Sequence, residues 1–258
     1  MSKKITIIGM GNSGKETAVH LAIEGIIRNE DTLVLVDVNE RAKGCKGEIV
    51  SACEIRGKFP HIVTINAREQ SELAKIKGSD IVIVTVSAPF PKGGFSTRGW
   101  SLFKNAEPIR FFAQQVKKYC QNAKIIMDSN PLDVMSSLFA VESGINPLQI
   151  FGKGGDLDTQ RLVSMLSHKI ARKVEDDTES RNFRNIQHFI FNNLLNSGIC
   201  VIGNHEVGEM VSIVPQKLNV LNQELLNGWL THDELKQVIY EAEQVGPKSS
   251  KMLENRSP

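Results

Sequence analysis

Cysteine is scarce. Four residues in 258, Cys45, Cys53, Cys120 and Cys200, stand too far apart for a zinc pair or a CxxC redox motif. A chain of this length closes its core without disulfides, so they read as reduced, mostly buried small apolar side chains. Long apolar runs are missing too. Met1-Ser-Lys-Lys passes straight into Ile5-Thr-Ile-Ile, with no apolar stretch of the length a signal peptide or a spanning helix needs, so a cytoplasmic protein is expected. Charge of one sign is not in excess: 31 Lys and Arg stand against 29 Asp and Glu, in no single block. Nucleic acid and membrane surfaces gain no support as partners, which leaves a small, discrete ligand. Repeats and low-complexity tracts are absent as well. What is present is ordinary globular material, 41% hydrophobic and 23% charged, enough for a real core and unlike a collagenous, disordered or supercharged chain.

Residues 4–8 (KITII), 33–38 (LVLVDV), 80–86 (DIVIVTV) and 124–127 (KIIM) are short runs rich in Ile and Val, without the polar alternation of a strand that has one wet face. Such runs predict strands buried on both sides, as in a parallel sheet covered by helices. Between them, Lys15 to Arg28 carries an apolar stripe at Val19, Ala22, Ile23, Ile26 and Ile27, and Ala106 to Tyr119 is similar around Ile109, Phe112 and Val116. The alternation predicts an α/β fold: a doubly wound parallel sheet of Rossmann type over residues 1–142, followed by an α+β domain over 143–258. In the second part, Asp158 to Ile170 reads as a helix, 174–185 as a charged, exposed segment and 198–203 (GICVIG) as a strand. A helix over Thr231–Gln244 is expected to be capped by Thr231 and Glu234. The tail from Lys248 has little packing material.

Gly9-Met-Gly-Asn-Ser-Gly14 follows the first strand at once and opens the first helix, and the second strand ends at Asp37. Gly9 permits a tight turn, Gly11 lets the backbone approach a pyrophosphate, and Gly14 allows close packing of helix on sheet. The free amides of the helix start, around Asn12 and Ser13, face the phosphates. Asp37 can accept hydrogen bonds from an adenosine ribose, and its charge repels a 2′-phosphate, which favours NAD over NADP. A plain glycine turn would also show GxGxxG; strand, helix and acid together favour the nucleotide. Lys15 is followed by Glu16 rather than a hydroxyl residue, so this is no Walker loop. Gly152-Lys-Gly-Gly155 reads as a loop.

Four further groups complete a pattern: Arg98 in a Gly/Pro-rich loop, Asn130-Pro-Leu-Asp133 after a strand, Asp158-Thr-Gln-Arg161, and Gly203-Asn-His205. In this combination and order the sequence resembles the lactate/malate dehydrogenase family over nearly its whole length. The resemblance implies NAD as cofactor, a small 2-hydroxy or 2-oxo acid as substrate, and a homodimer or homotetramer. It gives His205 the role of proton acceptor and Asp158 that of its partner. Arg161 and Arg98 would hold the substrate carboxylate and carbonyl, Asn130 would contact substrate and nicotinamide, and Asn105 would lie near the cofactor. The chemistry suits the residue types. An imidazole with pKa near ~6.5 can pass a proton both ways, a carboxylate fixes its tautomer, and a guanidinium fork grips a carboxylate. Taken singly, His205 reads as a satisfied structural histidine and Asp158 with Arg161 as a surface pair. His20, His61, His168, His188 and His232 lack such a context, and no metal site is expected.

Five departures bear on activity. Glu206 follows His205 where the family usually has glycine, and Ser87 stands where it generally has glycine beside the nicotinamide ribose. The loop from Ala88 to Asn105 is about two residues longer than is usual in the family; counted six back from Arg98, the specificity position is Lys92, a point charge for a second carboxylate. Phe90 or Phe95 could instead line an apolar pocket there. Asp158 and His205 are 47 positions apart, about twenty more than in the family, so an insertion over about 172–195 has to loop out, as a lid or a subunit contact. The chain ends at Pro258, near where the family begins its final segment, so the C-terminal part of the second domain reads as missing. Two functions follow: an NAD-dependent 2-hydroxy acid dehydrogenase, or an inactive paralogue that keeps NAD binding or serves as a binding or structural subunit.

Overall fold

The computed structural model describes residues 2–89, 98–174, 181–196, 201–202, 212–213, 230–231 and 233–242. Two compact units, Met1–Lys153 and Gly154–Pro258, divide the chain. The first alternates strand and helix: β1 (Lys4–Ile8), α1 (Asn12–Ile23), β2 (Thr32–Asp37), α2 (Arg41–Ile55), β3 (His61–Asn66), β4 (Ile81–Val84), α3 (Arg98–Tyr119), β5 (Lys124–Met127), α4 (Leu132–Ser143) and β6 (Ile150–Gly152). All five strand pairings are parallel, in the order β3-β2-β1-β4-β5-β6. This is the doubly wound Rossmann sheet expected from the apolar runs, with its topological switch between β1 and β4.

The two-residue period of the strands sorts their side chains into two cores. Ile5, Ile7, Leu33, Leu35 and Ile83 join Ala18 and Ala22 of α1 and Ile49 of α2. Ile8, Val34, Val36, Val82 and Val84 join Ile109 and Val116 of α3 and Met135 and Phe139 of α4. Each of the larger side chains, removed from water, contributes about 1.5–3 kcal/mol, and the alanines less. The one polar side chain among the buried residues of β1, Thr6, shares a 2.7 Å hydrogen bond with Ser79 Oγ, which in turn donates to the Ile76 carbonyl.

Several boundaries differ from the sequence expectation. α1 stops at Ile23 rather than Arg28, because Gly25 turns the chain at φ +69. Ile27 still fills the core from outside the helix while Ile26 is exposed. β3 and β6 lie at the sheet edges; β3 is partly polar and β6 has three residues, so neither carries a long apolar run. α3 begins at Arg98, not Ala106, and contains Pro108, a residue type that normally marks a first turn. Arg98 therefore opens a helix instead of standing in a loop. The Gly152–Gly155 cluster is not a loop either: Gly152 ends β6 and Gly154 opens α5 (Gly154–Val174), with Lys153 alone between them.

In the second unit, α5 is followed by α6 (Arg181–Asn196), the antiparallel pair β7 (Val201–Ile202) and β8 (Ser212–Ile213), and α7 (233–242). The described part of the extra segment is thus a helix. Its Phe183, Ile190 and Leu194 pack with Leu162, Leu166 and Ile170 of α5 and Val238 of α7 in a third core. The expected cap of the last helix is present: Thr231 N–H donates to Glu234 Oε2 at 2.8 Å, and Glu234 N–H to Thr231 Oγ1 at 3.3 Å. Among the described residues no helix is long and apolar enough to cross a membrane.

Candidate functional site

The glycine loop is built against the first residue after β4. Gly9, at φ +98, passes so close to Thr85 and Val86 that an added Cβ would stand 3.0 Å from their backbone. Thr85 Oγ1 donates to the Gly9 carbonyl at 2.6 Å, and Gly9 N–H donates to the Val36 carbonyl at 2.8 Å. Gly14 is tighter still, since a Cβ there would meet the Gly9 carbonyl oxygen at 1.9 Å. Gly11 differs: among the described residues, chain neighbours apart, nothing lies within 4 Å of where a Cβ would stand. It is the N-cap of α1, and neither a side-chain cap nor an acidic residue occupies the first turn. The helix start therefore offers orphan amides and the positive end of its dipole to an open space, which suits a pyrophosphate.

Asp37 closes the other side. It is 7% exposed, its Oδ2 accepts from Met10 N–H at 2.7 Å and its Oδ1 from Asn39 N–H at 3.2 Å. Each oxygen keeps a lone pair for a ribose hydroxyl, while the two amides hold the carboxylate beside the loop. Thr85 and Met10 escaped the sequence reading; only the spacing of Thr85 after an apolar run could have marked the first, and a backbone donor leaves no signal at all.

Beyond the switch point, Ser87 is exposed and its Oγ lies 3.4 Å from the Ala88 carbonyl. Asn105 is 3% exposed; its Oδ1 accepts from Ala88 N–H at 2.7 Å and its Nδ2 donates to the Asn130 carbonyl at 2.6 Å. It ties the chain after β4 to the chain after β5, leaving the Asn130 side chain exposed. Asp128, unmarked in the sequence, is half-buried: burial pushes its carboxyl above the ordinary range and the Lys153 ammonium pulls it back.

On α5, Arg161 Nη1 donates to Asp158 Oδ1 at 3.2 Å, with the side chains 25% and 17% exposed. Lys92, His205 and Glu206 lie outside the described residues, as do Phe90 and Phe95. Among the described residues no group of three His, Cys, Asp or Glu side chains could hold a metal ion. Cys53 and Cys120 are buried free thiols and Cys45 is half-buried, while Cys200 lies outside the described residues.

A parallel sheet with a glycine cradle at its switch point and an acid at the end of β2 defines a dinucleotide-binding domain of Rossmann type. Residues 3–152 match the family described as lactate/malate dehydrogenase, NAD binding domain. The malate dehydrogenase of Picrophilus torridus is 31% identical over 173 residues, which cover 67% of this chain and 52% of that protein. The malate dehydrogenase of Thermoplasma volcanium is 32% identical over 181 residues, with the same shares. The lactate dehydrogenase of Cryptosporidium parvum, solved with lactic acid and nicotinamide adenine dinucleotide, superposes with a TM-score of 0.73 at 27% identity, covering 97% of this chain and 70% of that one. The malate dehydrogenase of the same organism gives 0.72 at 26% identity, covering 99% and 72%. The chain belongs to the lactate/malate dehydrogenase family, and its cofactor is NAD. It spans about half the length of the curated relatives it matches.

Proposed function

We propose that this protein is an NAD-dependent dehydrogenase interconverting a 2-hydroxy acid and a 2-oxo acid of the malate or lactate type. The observation that carries the reading is the cradle, in which Gly11 and the uncapped start of α1 face open space beside a held Asp37. When bound, NAD supplies the hydride acceptor or donor. His205 takes the hydroxyl proton as the alcohol is oxidised and returns it on reduction. Asp158 fixes the imidazole tautomer and stabilises its cation. Arg161 spends one N–H on Asp158 and offers the rest of its fork to the substrate carboxylate. Arg98 polarises the carbonyl, Asn130 contacts substrate and nicotinamide, and Lys92 meets a second carboxylate where the substrate has one. Ser87 narrows the slot for the nicotinamide ribose, and Asn105 acts on the cofactor through the two loops it joins.

A paralogue that binds NAD without turnover is the second reading, favoured by the ion pair that engages Asp158 and Arg161 with each other. One assay separates the two: NADH absorbance followed with pyruvate, oxaloacetate, 2-oxoisocaproate and phenylpyruvate. NADH consumption with any of them, abolished by His205→Asn, supports the dehydrogenase. NADH binding by fluorescence without turnover on the whole panel points to the paralogue, and absence of binding refutes both.

A further inference from the structure

A dinucleotide on this fold straddles the switch point, with its adenosine toward the end of β2, where Asp37 stands, and its pyrophosphate at the start of α1. The second nucleoside then lies beyond the carboxyl ends of β4, β5 and β6. Two charged side chains follow those ends at once. Asp128 comes directly after β5, its N–H donating to the Val84 carbonyl at 2.8 Å; Lys153 comes directly after β6, its N–H donating to the Met127 carbonyl at 3.0 Å. Both backbones are therefore extensions of the sheet and not free loops. Both residues line one end of a cleft of about 420 Å³ that starts at Ser13 in the first turn of α1 and runs along that helix and past its end to Ile26, a volume in the range of small-ligand pockets. The Asp128 carboxylate is half-buried there, and no described residue donates a hydrogen bond to it.

We propose that Asp128, opposed by Lys153, sets the redox preference of the bound cofactor, its carboxylate facing the nicotinamide end and favouring the oxidised form. The inference rests on NAD binding and not on turnover. The oxidised ring carries a positive charge and the reduced ring none, so a fixed carboxylate attracts only the former. One unit charge about 6 Å away at an effective dielectric of about 20 would shift the ratio of affinities by about two powers of ten; Lys153 and solvent reduce this to about tenfold. Glu16 of α1 and Glu24, directly after its last turn, line the same cleft, and His20 lies between them. The two acids are exposed, so screening leaves them a smaller share.

The test is the dissociation constant of the full chain for NAD+ and for NADH, measured separately by titration calorimetry. Asp128→Asn is expected to weaken NAD+ about tenfold while changing NADH by less than about twofold, and Lys153→Met to shift the ratio the opposite way. Glu16→Gln is expected to move it less than Asp128→Asn. An unchanged ratio in both main variants, or equal weakening of both cofactor forms, overturns the inference while leaving NAD binding intact. Should Asp128→Asn fail to fold, the direction of the shift in Lys153→Met decides alone. Binding of neither form by the unaltered chain would overturn the cofactor assignment and this inference with it.

Discussion

Two glycines of one loop respond to the same substitution in opposite ways. In Gly14→Ala the new Cβ would stand 1.9 Å from the Gly9 carbonyl oxygen and 2.7 Å from Thr85 Oγ1. A side chain could swing aside, but Gly9 is backbone held from both flanks by the Val36 carbonyl and the Thr85 hydroxyl. Helix α1 must retreat by about 1 Å, at the upper end of the ~1–3 kcal/mol typical of overpacking. The retreat breaks the hydrogen bond from Thr85, about 1 kcal/mol, and alanine returns at most ~1 kcal/mol of helix propensity. The net expectation is a loss of about 2–3 kcal/mol in the stability of the first unit. In Gly11→Ala the methyl group meets no described residue other than its chain neighbours within 4 Å and φ at −73 suits alanine, so stability falls by less than about 1 kcal/mol, the difference between Gly and Ala at an N-cap. The same methyl group fills the space that a pyrophosphate needs, and NADH affinity falls at least about tenfold, or ~1.4 kcal/mol. Urea denaturation read by circular dichroism, with NADH fluorescence titration on each variant, measures both. A Gly14→Ala protein as stable as the parent, or a Gly11→Ala protein with unchanged NADH affinity, refutes the reasoning.

Asn105→Leu leaves Ala88 N–H and the Asn130 carbonyl without their buried partner, so a stability loss of about 2–3 kcal/mol and weaker NADH binding are expected by the same two assays; Asn105→Leu binding NADH as tightly as the parent would contradict its role in joining the loops. Glu234 is held at about 2 by the hydrogen bond from Lys173 and by the Thr231 N–H and hydroxyl. A carboxyl lowered in the folded state stabilises fully above its unfolded pKa of about 4.3 and loses that contribution as pH falls towards the folded value. The melting temperatures of the parent and Glu234→Gln should therefore differ by a constant amount above pH ~5 and converge below it; a gap independent of pH would show that the charge is not what matters.

Buried strands announced themselves and edge strands did not. In β1, β2, β4 and β5 most or all residues face one of two cores, which forces near-continuous Ile and Val runs. β3 and β6 need apolar residues on fewer positions and so carry a weak signal. The helical stripe misled at Ile26 and Ile27 because periodicity cannot tell a side chain that continues a helix from one that enters the core after a turn, and Gly25 makes that turn. α6 was hidden for a different reason. Its apolar residues at 183, 190 and 194 satisfy a helix period, yet the charged stretch before them reads as surface, and only the presence of α5 and α7 gives that stripe something to cover.

The candidate site divides along the same line between what a side chain needs and what the backbone supplies. Gly9, Gly11, Gly14 and Asp37 were legible because each answers a requirement visible in residue type: a positive φ, an open approach, a missing Cβ, a carboxylate. The groups that hold them are not of that kind. The Met10 amide fixes Asp37, the Gly9 carbonyl sets the limit at Gly14, and the Asn130 carbonyl is the partner of Asn105. Every residue owns such groups, so no sequence pattern marks them. Asp128 follows the opposite logic: its side chain is distinctive, but only the sheet order brings it and Lys153, 25 positions on, to adjacent strand ends. A pair of opposite charges assembled by topology in this way leaves no local pattern in the sequence, and separate titrations with NAD+ and NADH are the measurement that reads what it does.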